Sequence, residues 1–228
     1  MRDGYDTSPV NPLPGVVWLL ALPIVALEVV IGLGKLGLAG GDAAIGWRLD
    51  ALQRFSFSPD ILRLMIEARQ FPPMEVARLV TYPFVHGSFT HAVMVLVFIL
   101  ALGKMVGELF RPGAVLAIFF GAALVGACVY TALPVTRLPL IGGYPAVYGL
   151  IGAFSWILFM RLGASNDNRA RAFTLIGFLL GIQLLYAAIF GNNWNWVAEL
   201  AGFATGFGMS FVVGPGSWPR LLAVLRRR

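Results

Sequence analysis

The sequence predicts an all-α, polytopic membrane protein, a bundle of six transmembrane helices with an amphipathic first loop. Three observations lead there. Of 228 residues, 58% are hydrophobic and only 12% charged, and the mean hydropathy is +0.80. A soluble domain of this size has too much surface to cover so many apolar side chains, so a bilayer must act as part of the solvent. The apolar residues gather into six runs, each close to the roughly 20 residues that cross a hydrocarbon layer about 30 Å thick. Lysine and arginine stand mostly at the ends of those runs.

Residues 1–14 read as a cytoplasmic N-terminal segment, 15–214 as the membrane domain and 215–228 as a basic cytoplasmic tail. The first run, 15–38, is too long for the apolar core of a cleaved leader, and "MRDGYD" before it carries two aspartates against one arginine. It is expected to remain as a span. Residues 39–87 form a long outer loop. Within it, Ser58 is expected as an N-cap, with Pro59 at the first helical position and Asp60 beside the positive helix end. Ile61, Leu62, Met65 and Ile66 are expected to face one way, Arg63 and Glu67 another. "IGWRLDALQRF" (45–55) is a second two-sided run, and both read as short helices in the headgroup region.

The remaining spans are predicted at 88–109, 114–133, 145–162, 172–191 and 196–214. With both termini cytoplasmic, that side collects Arg2, Lys104, Arg111, Arg161, Arg169, Arg171, Arg220 and Arg226 to Arg228. The opposite short loops hold only Arg137, and this asymmetry sets the orientation. Trp194 and Trp196 read as an aromatic belt at the outer surface. The expected location is a bacterial inner membrane.

Other classes of function fit poorly. The net charge of +6 sits at span ends rather than on a phosphate-reading face, so no nucleic-acid partner is expected. A single cysteine, Cys128, excludes a disulfide framework and a thiolate metal cluster. His86 and His91 are five apart, poor spacing for one helical face, and no metal or other cofactor is expected. Glu28, an ionisable group inside the first span, needs a partner, either Lys35 two turns on or a residue of another span.

Three motifs remain. "HGSFTH" spans His86 to His91, "GGYPAVYGLIGAF" covers 142–154, and "AELAGFATG" covers 198–206. In order and spacing they resemble the second-, fourth- and sixth-span motifs of rhomboid intramembrane serine proteases. The long amphipathic first loop is similar too, and the resemblance covers about residues 60–214. It implies a six-helix rhomboid-like bundle with a serine nucleophile opening the fourth span, a histidine base on the sixth and an asparagine supporting the oxyanion. At those positions this sequence has Tyr144, Glu199 and Val95. His86, His91, Gly149, Gly202 and Gly206 keep the family pattern.

The replacements remove the chemistry. A serine becomes a useful nucleophile beside a base that exchanges protons near neutrality, whereas an ordinary phenol titrates near pH 10. Valine gives no donor to an oxyanion, and losing one such donor costs about 100- to 1,000-fold in rate. Pro145 replaces a glycine and removes a backbone N–H. No catalytic residue is therefore expected. Ser155 lies eleven residues further along the fourth span, and Ser88 is also a serine in active relatives, so neither reads as a relocated nucleophile.

The glycines, with Gly152, are expected where helices touch closely. Glu199 either hydrogen-bonds Tyr144 across the former catalytic cleft or is hydrated near the outer interface. The resemblance implies a pseudoprotease that binds transmembrane helices or subunits of other membrane proteins without cutting them, aiding assembly or turnover. Its expected partners are lipid and such helices. The alternatives are a permanent subunit of a larger membrane complex and a divergent rhomboid protease.

Overall fold

The computed structural model describes residues 12–190 and 194–216. The N-terminal segment and the basic tail expected from the sequence fall almost wholly outside that range. Regular structure among the described residues is helical, apart from one antiparallel bridge between Phe57 and Leu140. Six long helices appear where apolar runs were predicted: α1 (Gly15–Lys35), α5 (Phe89–Gly107), α6 (Pro112–Ala132), α7 (Tyr144–Ala164), α8 (Thr174–Phe190) and α9 (Asn195–Val213). Five are long and apolar enough to cross a membrane, while α8 has only 17 residues. The six-span count is thus approximate.

Three short helices fill the first loop: α2 (Trp47–Phe55), α3 (Pro59–Ala68) and α4 (Pro73–Thr81). Ser58 caps α3, its hydroxyl accepting from the Ile61 N–H at 3.4 Å with Pro59 in the first turn. The helix does not divide as the sequence pattern predicts. Leu62 and Met65 are buried, but Ile66 is 57% exposed and Arg63 turns inward. The Arg63 guanidinium donates to the carbonyls of Thr131, Leu133 and Thr136 at 2.6–3.1 Å. The end of α6 leaves carbonyls without helical partners, and a fork of N–H donors satisfies them better than a hydrocarbon. The α4 helix was not anticipated; it opens at Pro73 and is tied to the end of α2 by Arg78, whose Nη1 donates to the Gln53 carbonyl at 2.8 Å.

The packed centre is α7, which lies against α9, α6 and α5, while α1 leans on α5. Every residue from 145 to 153 of α7 is buried. Glycine makes that possible. A Cβ on Gly206 would stand 1.9 Å from the Gly149 carbonyl oxygen, one on Gly202 2.1 Å from that of Pro145, and one on Gly152 2.2 Å from that of Phe203. Backbone therefore meets backbone along the α7–α9 seam, where dispersion contacts hold helices that lipid would otherwise separate. Among its described residues, α8 packs on the 3-10 turn Arg169–Phe173 that precedes it and buries Ile176 in the core, while Phe178, Ile182, Leu185 and Ile189 are exposed.

Glu28 finds neither Lys35 nor another span. Arg48 of α2 reaches it in a two-pronged ion pair, Nη1 to Oε1 at 2.8 Å and Nη2 to Oε2 at 2.7 Å. A bidentate guanidinium matches a carboxylate better than a flexible ammonium on the same helix can.

Candidate functional site

The site forms where α5, α7 and α9 begin. Ser88 caps α5, its hydroxyl accepting from the His91 N–H at 3.2 Å, so this serine is engaged in starting a helix. His86, just before it, is 2% exposed. Its backbone carbonyl takes a 2.8 Å hydrogen bond from Arg48, so the Glu28 ion pair also fixes this loop. His86 meets His91 edge-on with ring centres 4.9 Å apart, and His91 stacks on Tyr144 at 5.0 Å with 18° between planes. Gly142 permits this cluster. Its φ is +83°, and a Cβ there would lie 2.5 Å from the His91 ring.

Among the described residues, neither ring nitrogen of His86 makes a hydrogen bond. Burial, and next the neighbouring His91, lower its pKa to about 3, with Arg48 adding a smaller push and the Phe84 backbone opposing. The folded ring thus stays neutral while an unfolded one takes a proton below about pH 6.5. Stability is fully present above that value and falls as pH drops towards 3. Between pH 6.5 and 5 the loss is about 2 kcal/mol. Thermal unfolding in detergent across that range should show it, and His86→Gln should reduce the slope.

Glu199 is 5% exposed and sits one turn into α9. Gln183 of α8 donates to it through Nε2, and the Tyr148 hydroxyl faces the same carboxylate. No hydrogen bond joins Tyr144 to Glu199 among the described residues. The phenol ring is instead drawn flat against His91, and the carboxylate takes donors from α8 and from one turn deeper in α7. Val95 is fully buried on α5, where a Cβ on Gly143 would come within 2.8 Å of it, so it seals the loop beneath the site. Gly149, Gly202 and Gly206 lie in the α7–α9 seam behind the site.

Tyr144, His91 and Glu199 line one cavity of about 700 Å³, together with Ser88, Met94, Pro145, Gln183, Asn195 and Trp196. It is walled by α5, α7, α8 and α9. Sequence reasoning missed Gln183, Tyr148 and Arg48. Gln183 did carry a signal, as a lone amide in an otherwise apolar run. Among the described residues, no group of three or more histidine, cysteine or acidic side chains could hold a metal ion.

Comparison with known proteins decides the ancestry of this arrangement. A family model described as the rhomboid domain matches residues 73–216, which takes in α4 to α9 and the whole cavity. The chain belongs to the rhomboid family. It is also similar to "Rhomboid-like protease 3" of Toxoplasma gondii, 25% identical over 155 residues, which are 66% of this chain and 58% of that protein. The chain therefore spans less than two thirds of the length of that curated relative. Rhomboid membership and the apolar helices together make this an integral, multi-pass membrane protein.

Proposed function

We propose that this rhomboid-family protein is a pseudoprotease, which binds transmembrane helices or subunits of membrane proteins without cleaving them and so aids their assembly or turnover. The observation that carries the reading is the cavity wall itself. Where the family resemblance puts nucleophile and base, this wall has a phenol stacked on His91 and a carboxylate held by Gln183, and the oxyanion position is a valine buried behind it. A carboxylate engaged with an amide donor takes a proton from a phenol poorly, Val95 has no side-chain donor for a developing oxyanion, and Pro145 has no backbone N–H. What stays is a lateral notch with a few polar groups on a mostly apolar wall, bordered on one side by α8. Such a notch favours a helix whose own backbone or polar groups lack partners in lipid. We place both termini in the cytoplasm of a bacterium, with the cavity at the outer end of the bundle.

A serine-reactive fluorophosphonate applied to the purified protein is expected to label it no more than a heat-denatured control. Labelling at Ser88 would restore an enzyme. Gentle extraction followed by mass spectrometry of co-purifying chains is expected to return a spread of substoichiometric membrane proteins. One equimolar companion would instead make this a fixed subunit of a complex.

A further inference from the structure

The cavity is rich in acceptors. The Glu199 carboxylate forms part of its wall, and among the described residues the buried Gln183 Oε1 has no hydrogen-bond partner, nor has the His91 Nε2, which accepts in one neutral tautomer. Among the described residues that line it there is no lysine or arginine. A carboxylate at membrane depth is expensive, about 2.5–3.5 kcal/mol on insertion scales, and an approaching cation offsets that. Gln183 and Tyr148 orient the carboxylate without supplying a positive charge. The rest of the wall suits the other half of a basic side chain. Met94 and Ile182 are apolar surface for a methylene stem, and Tyr144 and Trp196 bring aromatic rings, which attract cations.

We propose that the cavity takes a transmembrane segment bearing a lysine or arginine, whose charged head pairs with Glu199. This rests on the helix-binding reading above and names the chemistry of the client. Glu199 is the fifth residue of α9, which begins at Asn195, so it lies about 6 Å along the helix axis from that end. The client's basic residue belongs at a similar depth, roughly one turn inside the membrane. A segment with an acidic residue there meets like charge and is disfavoured.

The test uses the full-length protein in lipid nanodiscs and dye-labelled 22-residue leucine/alanine peptides, with binding read by energy transfer. The fifth position is lysine, norleucine or glutamate. The lysine peptide is expected to bind about tenfold more tightly than the norleucine one, with glutamate weakest. Glu199→Gln, close in shape, is expected to cut the lysine preference to less than about twofold while norleucine binding persists. Equal binding of lysine and norleucine peptides by the unaltered protein would overturn the cation pairing and leave helix binding intact. A lysine preference undiminished in Glu199→Gln would overturn it as well. Failure of every peptide to bind would remove the helix-binding reading and this inference together.

Discussion

Gly206→Ala is expected to destabilise the bundle by more than about 3 kcal/mol, although only one methyl group is added. Alanine is intrinsically better than glycine in a helix by about 1 kcal/mol, so local propensity alone would make the change favourable. Geometry overrides it. The new Cβ would stand 1.9 Å from the Gly149 carbonyl oxygen and 2.7 Å from the Gly149 Cα, and neither is a side chain that can swing aside. Relief requires α7 and α9 to part along their length, which also opens the close approaches at Gly202 and Gly152. Gly208, two residues on, is the control, since a Cβ there meets nothing within 4 Å. Gly208→Ala should be neutral or slightly stabilising. Thermal unfolding and size-exclusion profiles of the two variants in one detergent check both expectations, and equal behaviour would refute the seam as the basis of the fold.

That seam was legible in the sequence, and the reason is physical. In lipid, helices are held together largely by close packing, so small residues four apart mark the contact by their spacing alone. Span positions were legible for a similar reason, because the thickness of the hydrocarbon layer dictates a run length, and each of the six long helices ends within three residues of its predicted bounds. Side-chain partners were not. Glu28 and Arg48 are 20 apart, and Arg63 reaches carbonyls 68 to 73 residues away. No periodicity within one element encodes such pairs. Arg63 shows how this misleads: a charged residue beside an apolar stripe reads as solvent-facing until the unsatisfied end of α6 is placed next to it. The site was half legible. The positions of Tyr144 and Glu199 on one cavity follow from motif order, but the direction of the phenol depends on the flat face that His91 offers. The sequence does not state that.

Arg48→Ala is expected to cost about 3–5 kcal/mol, the usual range when one partner of a buried ion pair is removed. Glu28 is 8% exposed, and its only ion pair among the described residues is with Arg48. Truncating Arg48 leaves a carboxyl inside α1 with no guanidinium. It also releases the His86 carbonyl, which Nη1 holds at 2.8 Å, so the loss extends from α1 to the loop that presents the His86–His91–Tyr144 cluster. Replacing both partners separates the two effects. Glu28→Leu combined with Arg48→Met removes the charges together, and since desolvating an ion pair is itself unfavourable, the double variant should be more stable than Arg48→Ala alone. Unfolding midpoints of the single and double variants measure this, and a single-variant loss below about 1 kcal/mol would mean that the pair is no more than a surface contact. If the larger value holds, one guanidinium ties the first span, the outer loop and the cavity rim into a single unit. Weakened capture of helical peptides by Arg48→Ala at a temperature where it remains folded would then show that the rim must be held rigid for the cavity to bind.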